Sequence, residues 1–442
     1  MKQIKIAYIG GGSKLWARSF MQDLALAEGL CGEVCLYDID RAAAVRNQKI
    51  APRIHEKKEA DKKALLLEIN KEAAKYFYYQ LRSPQGAIGH QYLTKRELSE
   101  ETMKQFGLGY SNKFSNDLVQ YLKQKGYQDE LIIQAGLAAG NEAKGVHDKF
   151  WNRVMFPIQD INHRVIGFGG RVMGEGEPKY LNSPETRIFD KSRNLYGMNI
   201  ARTSRRPNII VCEGYLDVIA LHQAGFSNAV ASLGTAFTSQ HASLLKRYTN
   251  EVLLTYDSDN AGTKAALRAI PILQDAGITV KVLDMKPYKD PDEFIRALGT
   301  DEYQRRIDEA KGSFFFEIAT MEKNYDMKDP EQKTRFYREV ATRLTAFSEE
   351  IERNNYMEAV DAIYHIGLEN LRKLVNRTGA KLVNTQVAEI TAEREKEQNR
   401  IRKVSDTAVQ LKWDKVAGAK SYTVYRATKE GGKYKKIATV KT

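Results

Sequence analysis

The chain has 442 residues, 42% hydrophobic and 28% charged, with a formal net charge of +13 and a pI near 9.3. That length suits roughly two to four domains, and no apolar run is long enough to cross a bilayer. Three cysteines (Cys31, Cys35 and Cys212) and seven scattered histidines exclude a disulfide scaffold, a zinc ribbon and an HExxH centre.

In chain order, residues 1–50 read as the start of a nucleotide-binding α/β domain. "IKIAYIG" predicts a buried strand, "GGS" a tight turn, "FMQDLALAEGL" a helix and "EVCLYDID" a second strand. Gly10, Gly11 and Gly12 would let backbone approach a pyrophosphate, and Asp38 would face a ribose hydroxyl. The opening has no signal-peptide pattern, so a cytoplasmic location is expected. The run "IGGGSKLW…DLAL…GLCGEVCLYDID" resembles the N-terminus of NAD-dependent family-4 glycosidases. One βαβ unit lacks the strands that complete a dinucleotide crevice, and nothing after Ile50 resembles the rest of that family. NAD is therefore not an expected cofactor.

Residues 51–150 read as mostly helical, with "KALLLEINKEAAKYFYYQL" carrying a helix-period apolar face and "NDLVQYLKQKG" ending at a glycine. Residues 150–300 alternate, with strands at "RVMFPIQD", "RVIGFGGRV", "NIIVCEG", "NAVASLG", "EVLLTYD" and "TVKVLDM". Helices fall at "YLDVIALHQAG", "HASLLKRYT" and "AGTKAALRAIPILQDAG". That alternation argues for a mostly parallel sheet. Helix returns over 301–378, in "EQKTRFYREVATRLTAF" and "NNYMEAVDAIYHIGLENLRKLV". "AEITAEREKEQNRIRK" reads as a charged linker or exposed helix. The last forty residues alternate as three or four strands. They resemble the first half of a fibronectin type III domain, with Trp413 and Tyr422 as core anchors. The domains read as 1–50, 51–205, 206–300 and 301–380, then a linker over 381–403 and a half-sandwich over 404–442.

The chemistry concentrates in "LLTYDSDNAG" at 253–262. Asp257 and Asp259 end an apolar run, and residues i and i+2 of extended chain point the same way. Helix capping explains such a pair equally well. Glu213 ends another strand, with Asp217 one helical turn on, and "KPYKDPDEF" adds Asp290-x-Asp292 around a proline. Three acidic clusters at strand ends of so basic a chain suit hard divalent cations, Mg²⁺ or Mn²⁺.

Glu213 followed by Asp257-x-Asp259 is the TOPRIM pattern. With "RVMFPIQD", "VIGFGGRV", "PKYLNSPET", "KSRNLYG", "EGYLDVIAL", "ASLGTAFT", "YDSDNAG" and "DPDEFI" in order, residues from about Arg53 to Leu374 resemble bacterial DnaG-type DNA primases. The resemblance implies an α/β fold with α+β and all-α subdomains around a TOPRIM-like sheet. The incomplete Rossmann-like and half-sandwich segments would flank it. It implies metal binding by Glu213, Asp257, Asp259, Asp290 and Asp292, with Asp217 completing a catalytic acidic set. Arg171, Lys179 and Lys191 would face nucleotide and template, with Arg153 and Arg96 as further phosphate contacts. The implied reaction is synthesis of RNA primers from ribonucleoside triphosphates on single-stranded DNA. A different TOPRIM enzyme (nuclease or topoisomerase) and an inactive nucleic-acid-binding fusion are the alternatives.

The chain also departs from the resemblance. The family's zinc ribbon and helicase-binding domain are replaced by the glycosidase-like and sandwich-like segments. That puts start-site choice and coupling to the replicative helicase in doubt. Lys149 and Trp151 stand in the arginine-rich stretch before "RVMFPI", and Glu97 stands at a usual glycine.

Overall fold

The computed structural model describes residues 2–9, 20, 30–37, 40–114, 116–141, 145–381, 401–405, 408–411, 421–426 and 435–441. The glycine turn at Gly10–Gly12, Asp38, most of the charged linker and Trp413 lie outside them. The described residues fall into two compact units, 1–320 and 321–442.

Strands β1 (Lys2–Ile9) and β2 (Leu30–Tyr37) pair in parallel, with Ile4 opposite Gly32 and Tyr8 opposite Leu36, as the βαβ reading expects. A single helix, Arg41–Leu81, then crosses the predicted boundary at residue 50. Asp40 starts it by accepting from the Ala43 N–H at 2.9 Å, and the run holds no glycine to end it. Its positions Leu66, Ile69, Ala73 and Phe77 recur at helical spacing and are all buried. They pack with Leu118, Leu122, Ile132 and Phe168, and the Phe77 ring meets Phe168 edge-on at 5.3 Å.

Two sheets make up the rest of the first unit. The first is antiparallel, in the order β3 (Gly109–Ser111), β6 (Arg153–Gln159), β7 (Val165–Val172), β8 (Tyr180–Asn182). A hairpin of β4 (Ala138–Asn141) and β5 (Gly145–Asp148) stands beside it in sequence. This corrects the sequence reading, which assigned "RVMFPIQD" and "RVIGFGGRV" to one mostly parallel sheet. The five residues between β6 and β7, with Asp160 accepting from Asn162 N and Arg164 N, form a tight turn that permits only antiparallel pairing.

The second sheet runs β10 (Ala229–Ala231), β9 (Ile209–Cys212), β11 (Glu251–Leu254), β12 (Thr279–Val282), β13 (Lys311–Gly312). Its first four strands are parallel, and only the edge strand β13 is reversed. The continuous apolar run of β9 is buried throughout, as a strand covered on both faces requires. Helices Tyr215–Gln223, Ser239–Leu245 and Asn260–Asp275 supply the crossovers.

One apolar core joins the two sheets: Phe156 of β6 stacks on Tyr215 at 5.1 Å, and Tyr196 meets the same ring edge-on at 4.7 Å. The approach is close enough that a Cβ on Gly169 would lie 2.5 Å from the Tyr215 ring. Gly169 of "GFGG" thus serves packing between the sheets.

In the second unit, helices Pro330–Leu344 and Glu350–Tyr364 bury Phe336, whose ring meets Tyr364 edge-on at 5.1 Å. The helix expected over 354–375 is broken instead. His365 and Gly367 take φ of 50° and 88°, Asp361 accepts from Gly367 N at 2.6 Å, and helix resumes over 368–381. Ile401–Ser405 (β14) is a strand where the end of the linker was expected, and it pairs with β15 (Ala408–Leu411). Strands β16 (Ser421–Arg426), which carries Tyr422, and β17 (Lys435–Lys441) form a second hairpin. Two separate two-stranded sheets result.

Candidate active site

Adjacent parallel strands β9 and β11 end together, with Leu254 opposite Val211. Glu213 leaves the end of the first and Asp257 lies three residues beyond the second, at the carboxyl edge where open α/β sheets bind ligands. Asp257 donates its backbone N–H to Glu213 Oε1 at 3.1 Å. Asp259 caps helix Asn260–Asp275, its Oδ1 accepting from Ala261 N at 2.8 Å and Gly262 N at 2.9 Å. A Cβ on Gly262 would lie 2.1 Å from the Asp257 carbonyl oxygen and 2.8 Å from Glu213 Oε1. The glycine of "DNAG" is what lets the Glu213 carboxylate rest over this helix N-terminus.

Ser258, which the sequence reading passed over, ties the two Asp-x-Asp segments together. Its N–H donates to the Lys289 carbonyl at 2.8 Å and its hydroxyl to the Tyr288 carbonyl at 2.9 Å. Asp290 caps helix Pro291–Asp308 through Glu293 N at 2.8 Å. Asp217 is buried, and its Oδ2 accepts from Gly214 N at 3.0 Å.

Asp292 has different company. It is 2% exposed, and its Oδ2 takes both Arg96 Nη1 and, at 3.3 Å, Arg296 Nη2. The structure therefore commits this expected metal ligand to two guanidinium groups. Lys289 Nζ stands 3.6 Å from Asp257 Oδ2.

Crowded carboxylates hold their protons more tightly here. Burial, then Asp257, raises Glu213. Burial, then Asp290, raises Asp257. Burial, then Asp290, Asp257 and Asp292, pushes Asp217 well above the usual carboxylate range. Among the described residues no three His, Cys, Asp or Glu side chains close around one point as a finished coordination sphere. The donor chemistry of Glu213, Asp257 and Asp259, with Asp290 beside them, still suits a hard divalent cation: all are oxygen donors, and among the described residues the exposed Lys289 is the cation paired there.

The basic residues divide. Arg96 joins the acidic group through Asp292, and the Arg171 guanidinium lies 4.3 Å over the ring of Tyr92, a platform no sequence motif marked. Lys179 is exposed and Lys191 half-buried, and neither forms an ion pair among the described residues. Arg153, expected as a further phosphate contact, has internal partners in the structure. It is buried, and its Nη1 donates to the Gly170 and Pro178 carbonyls at 3.2 and 2.9 Å, bracing the loop before β8.

Comparison with known proteins gives the family. The family model for the DNA primase catalytic core, N-terminal domain, matches residues 76–202, and a Toprim-like model matches 210–295. A solved DnaG primase catalytic domain bound to single-stranded DNA superimposes with a TM-score of 0.61 at 34% identity, over 70% of this chain and 98% of that one. The chain belongs to the DnaG-type DNA primase family. The Escherichia coli primase catalytic core matches similarly, at a TM-score of 0.59 and 34% identity over 71% of this chain and 97% of that one. The DNA primase of Clostridium acetobutylicum is 40% identical over 304 residues, covering 69% of this chain and 50% of the relative. That of Pseudomonas putida is 45% identical over 258 residues, 56% of this chain and 39% of the relative. The chain thus spans about half the length of the curated primases it matches.

A family 4 glycosyl hydrolase model also matches, over residues 5–116, well past Ile50 where the sequence resemblance stopped. Over 76–116 it overlaps the primase model. There Phe77, Leu93, Phe106 and Tyr110 are buried in the primase-type cores.

Proposed function

We propose that residues from about Arg53 to Leu374 synthesise RNA primers from ribonucleoside triphosphates on a single-stranded DNA template. The observation that carries the reading is the meeting of Glu213, Asp257 and Asp259 at the carboxyl ends of two adjacent parallel strands, over one helix N-terminus. These three, with Asp290, would hold Mg²⁺ or Mn²⁺. Bound there, such ions supply Lewis-acid activation of the attacking hydroxyl and neutralise the triphosphate.

The remaining roles fall to the chain itself. The primer hydroxyl attacks the α-phosphorus of the incoming nucleotide, the new P–O bond forms, and pyrophosphate leaves. Arg171, its guanidinium over the Tyr92 ring, would offer phosphate the donors that the Val172 carbonyl leaves free. Lys179 and Lys191 add charge toward nucleotide and template, so binding should weaken as salt rises. Arg96, anchored by Asp292, extends the basic wall up to the acidic group. A cytoplasmic setting accords with this chemistry, and the described residues include no helix able to cross a membrane. Coupling to a replicative helicase would need a docking surface outside the matched core.

The direct test is incorporation of labelled ribonucleotides on a single-stranded template with Mg²⁺ or Mn²⁺. The expected result is metal-dependent RNA of short length. Cleavage of the template with no incorporation would instead point to a TOPRIM nuclease.

A further inference from the structure

The loop that carries Lys191 is held in an unusual way. Asp190 turns it from within: Oδ1 accepts from Ser192 N at 2.9 Å and from the Ser192 hydroxyl at 2.6 Å, and its carbonyl accepts from Asn194 Nδ2 at 2.8 Å. From outside, the first turn of helix Ser239–Leu245 takes the next two carbonyls. The Thr238 hydroxyl donates to Ser192 O at 2.7 Å, and His241 Nε2 meets Lys191 O at 2.8 Å. His241 is 0% exposed, and neither an acidic nor a basic motif includes it.

We infer that His241 is a positioning residue for Lys191, fixing the backbone from which that lysine reaches nucleotide or template. The inference deepens the polymerase reading above and rests on the role given there to Lys191. The tautomer follows from the bonds. The Thr238 N–H donates to His241 Nδ1 at 3.2 Å, so Nδ1 carries no proton and Nε2 must donate. The Thr238 hydroxyl accepts from His241 N at 3.1 Å, which closes a reciprocal capping box around the ring. Both ring nitrogens are used, one to begin the helix and one to hold Lys191. A helix cap alone needs only Nδ1. The second bond crosses fifty residues to the loop that the Thr238 hydroxyl also holds, one residue on, at Ser192 O.

The two nitrogens can be separated by substitution. The glutamine amide reaches the position of Nε2 and keeps a donor to Lys191 O. The asparagine side chain reaches only the position of Nδ1 and keeps the cap. In the full chain, with ribonucleotide incorporation on single-stranded DNA as readout, His241→Gln should keep a KM near wild type. His241→Asn should raise the nucleotide KM about five- to tenfold, with kcat within about twofold, the scale of one lost neutral hydrogen bond. In a Lys191→Ala background the Asn substitution should add no further change.

The reverse order, Asn tolerated and Gln damaging, overturns the inference, because the ring would then act only as a cap. An Asn effect of equal size in the Lys191→Ala background also overturns it. A Lys191→Ala protein with unchanged KM overturns the assigned role of Lys191 itself. Thermal melts of the same variants separate both results from misfolding: the predicted KM difference persists between variants of matched stability.

Discussion

Asp257-x-Asp259 and Asp290-x-Asp292 share one spacing, and each pair opens a helix, yet they end in opposite surroundings. In the first pair the second aspartate is the N-cap. Asp259 spends Oδ1 on the helix and stays exposed, and Asp257 sits half-buried beside Glu213. In the second pair the first aspartate is the N-cap. Asp292 then falls inside the first helical turn, at 2% exposure, against Arg96 and Arg296. A shift of two residues relative to the cap converts a candidate metal ligand into an arginine anchor. Two guanidiniums face the buried Asp292 carboxylate, whereas among the described residues Lys289 is the cation paired with the Glu213–Asp257–Asp259 group.

The largest effect should come from the first pair. Asp257→Asn is expected to lower ribonucleotide incorporation by at least about a hundredfold, while single-stranded DNA binding stays within about twofold. Filter binding and primer synthesis on the same preparation measure both. Unchanged synthesis would sink the metal assignment for this pair.

The second pair should respond differently. Asp292→Asn is expected to cut incorporation about tenfold by loosening Arg96, with the half-saturating Mn²⁺ concentration unmoved within about twofold. Asp259→Asn should raise that concentration. If instead Asp292→Asn moves the Mn²⁺ titration as far as Asp259→Asn does, the two pairs are equivalent and the contrast drawn from the structure fails.

Much of this was legible in the sequence, and the limits are physical. Buried runs such as "NIIVC" and "EVLL" announce parallel strands because both faces are covered. "RVMFPIQ" is just as apolar but lies in an antiparallel sheet, and only the turn after it decides the pairing. The acidic residues were visible as residue types at strand ends. Their partners were not: Arg96 reaches Asp292 across 196 positions, and His241 reaches Lys191 across 50, beyond any local spacing rule. Arg153 shows the converse, since a basic residue within a matched motif can be buried and give its donors to backbone carbonyls.

Asp217 stands between the two pairs and supplies a pH test. Its proton affinity is raised by burial, then by Asp290, Asp257 and Asp292. A carboxyl raised on folding contributes stability that is fully present below the ordinary carboxylate range. That contribution is lost as pH climbs through the raised value. Metal-free protein in a chelator should therefore melt lower at pH 8 than at pH 5. Asp217→Asn, which can still accept from Gly214 N, should reduce that difference by a few degrees, about 2–4 °C. An unaltered pH slope in the variant would show that the crowding of the two pairs is relieved in some other way.

The smallest effect concerns Lys289, the cation already beside Asp257. Its amine is 3.6 Å from Oδ2 and the side chain is 61% exposed, so the pair is weak and screened. It still competes with any ion for the same oxygen. Lys289→Ala should then lower the half-saturating Mn²⁺ concentration, by about twofold at low salt, with the difference fading as salt rises. The backbone bonds of Lys289 to Ser258 N and Glu293 Oε2 survive the change, so the loop that joins the two pairs should stay in place. A raised nucleotide KM with an unmoved metal titration would reassign Lys289 to the triphosphate. The first pair would then carry its negative charge with no resident counter-ion, which makes its dependence on a divalent cation stronger still.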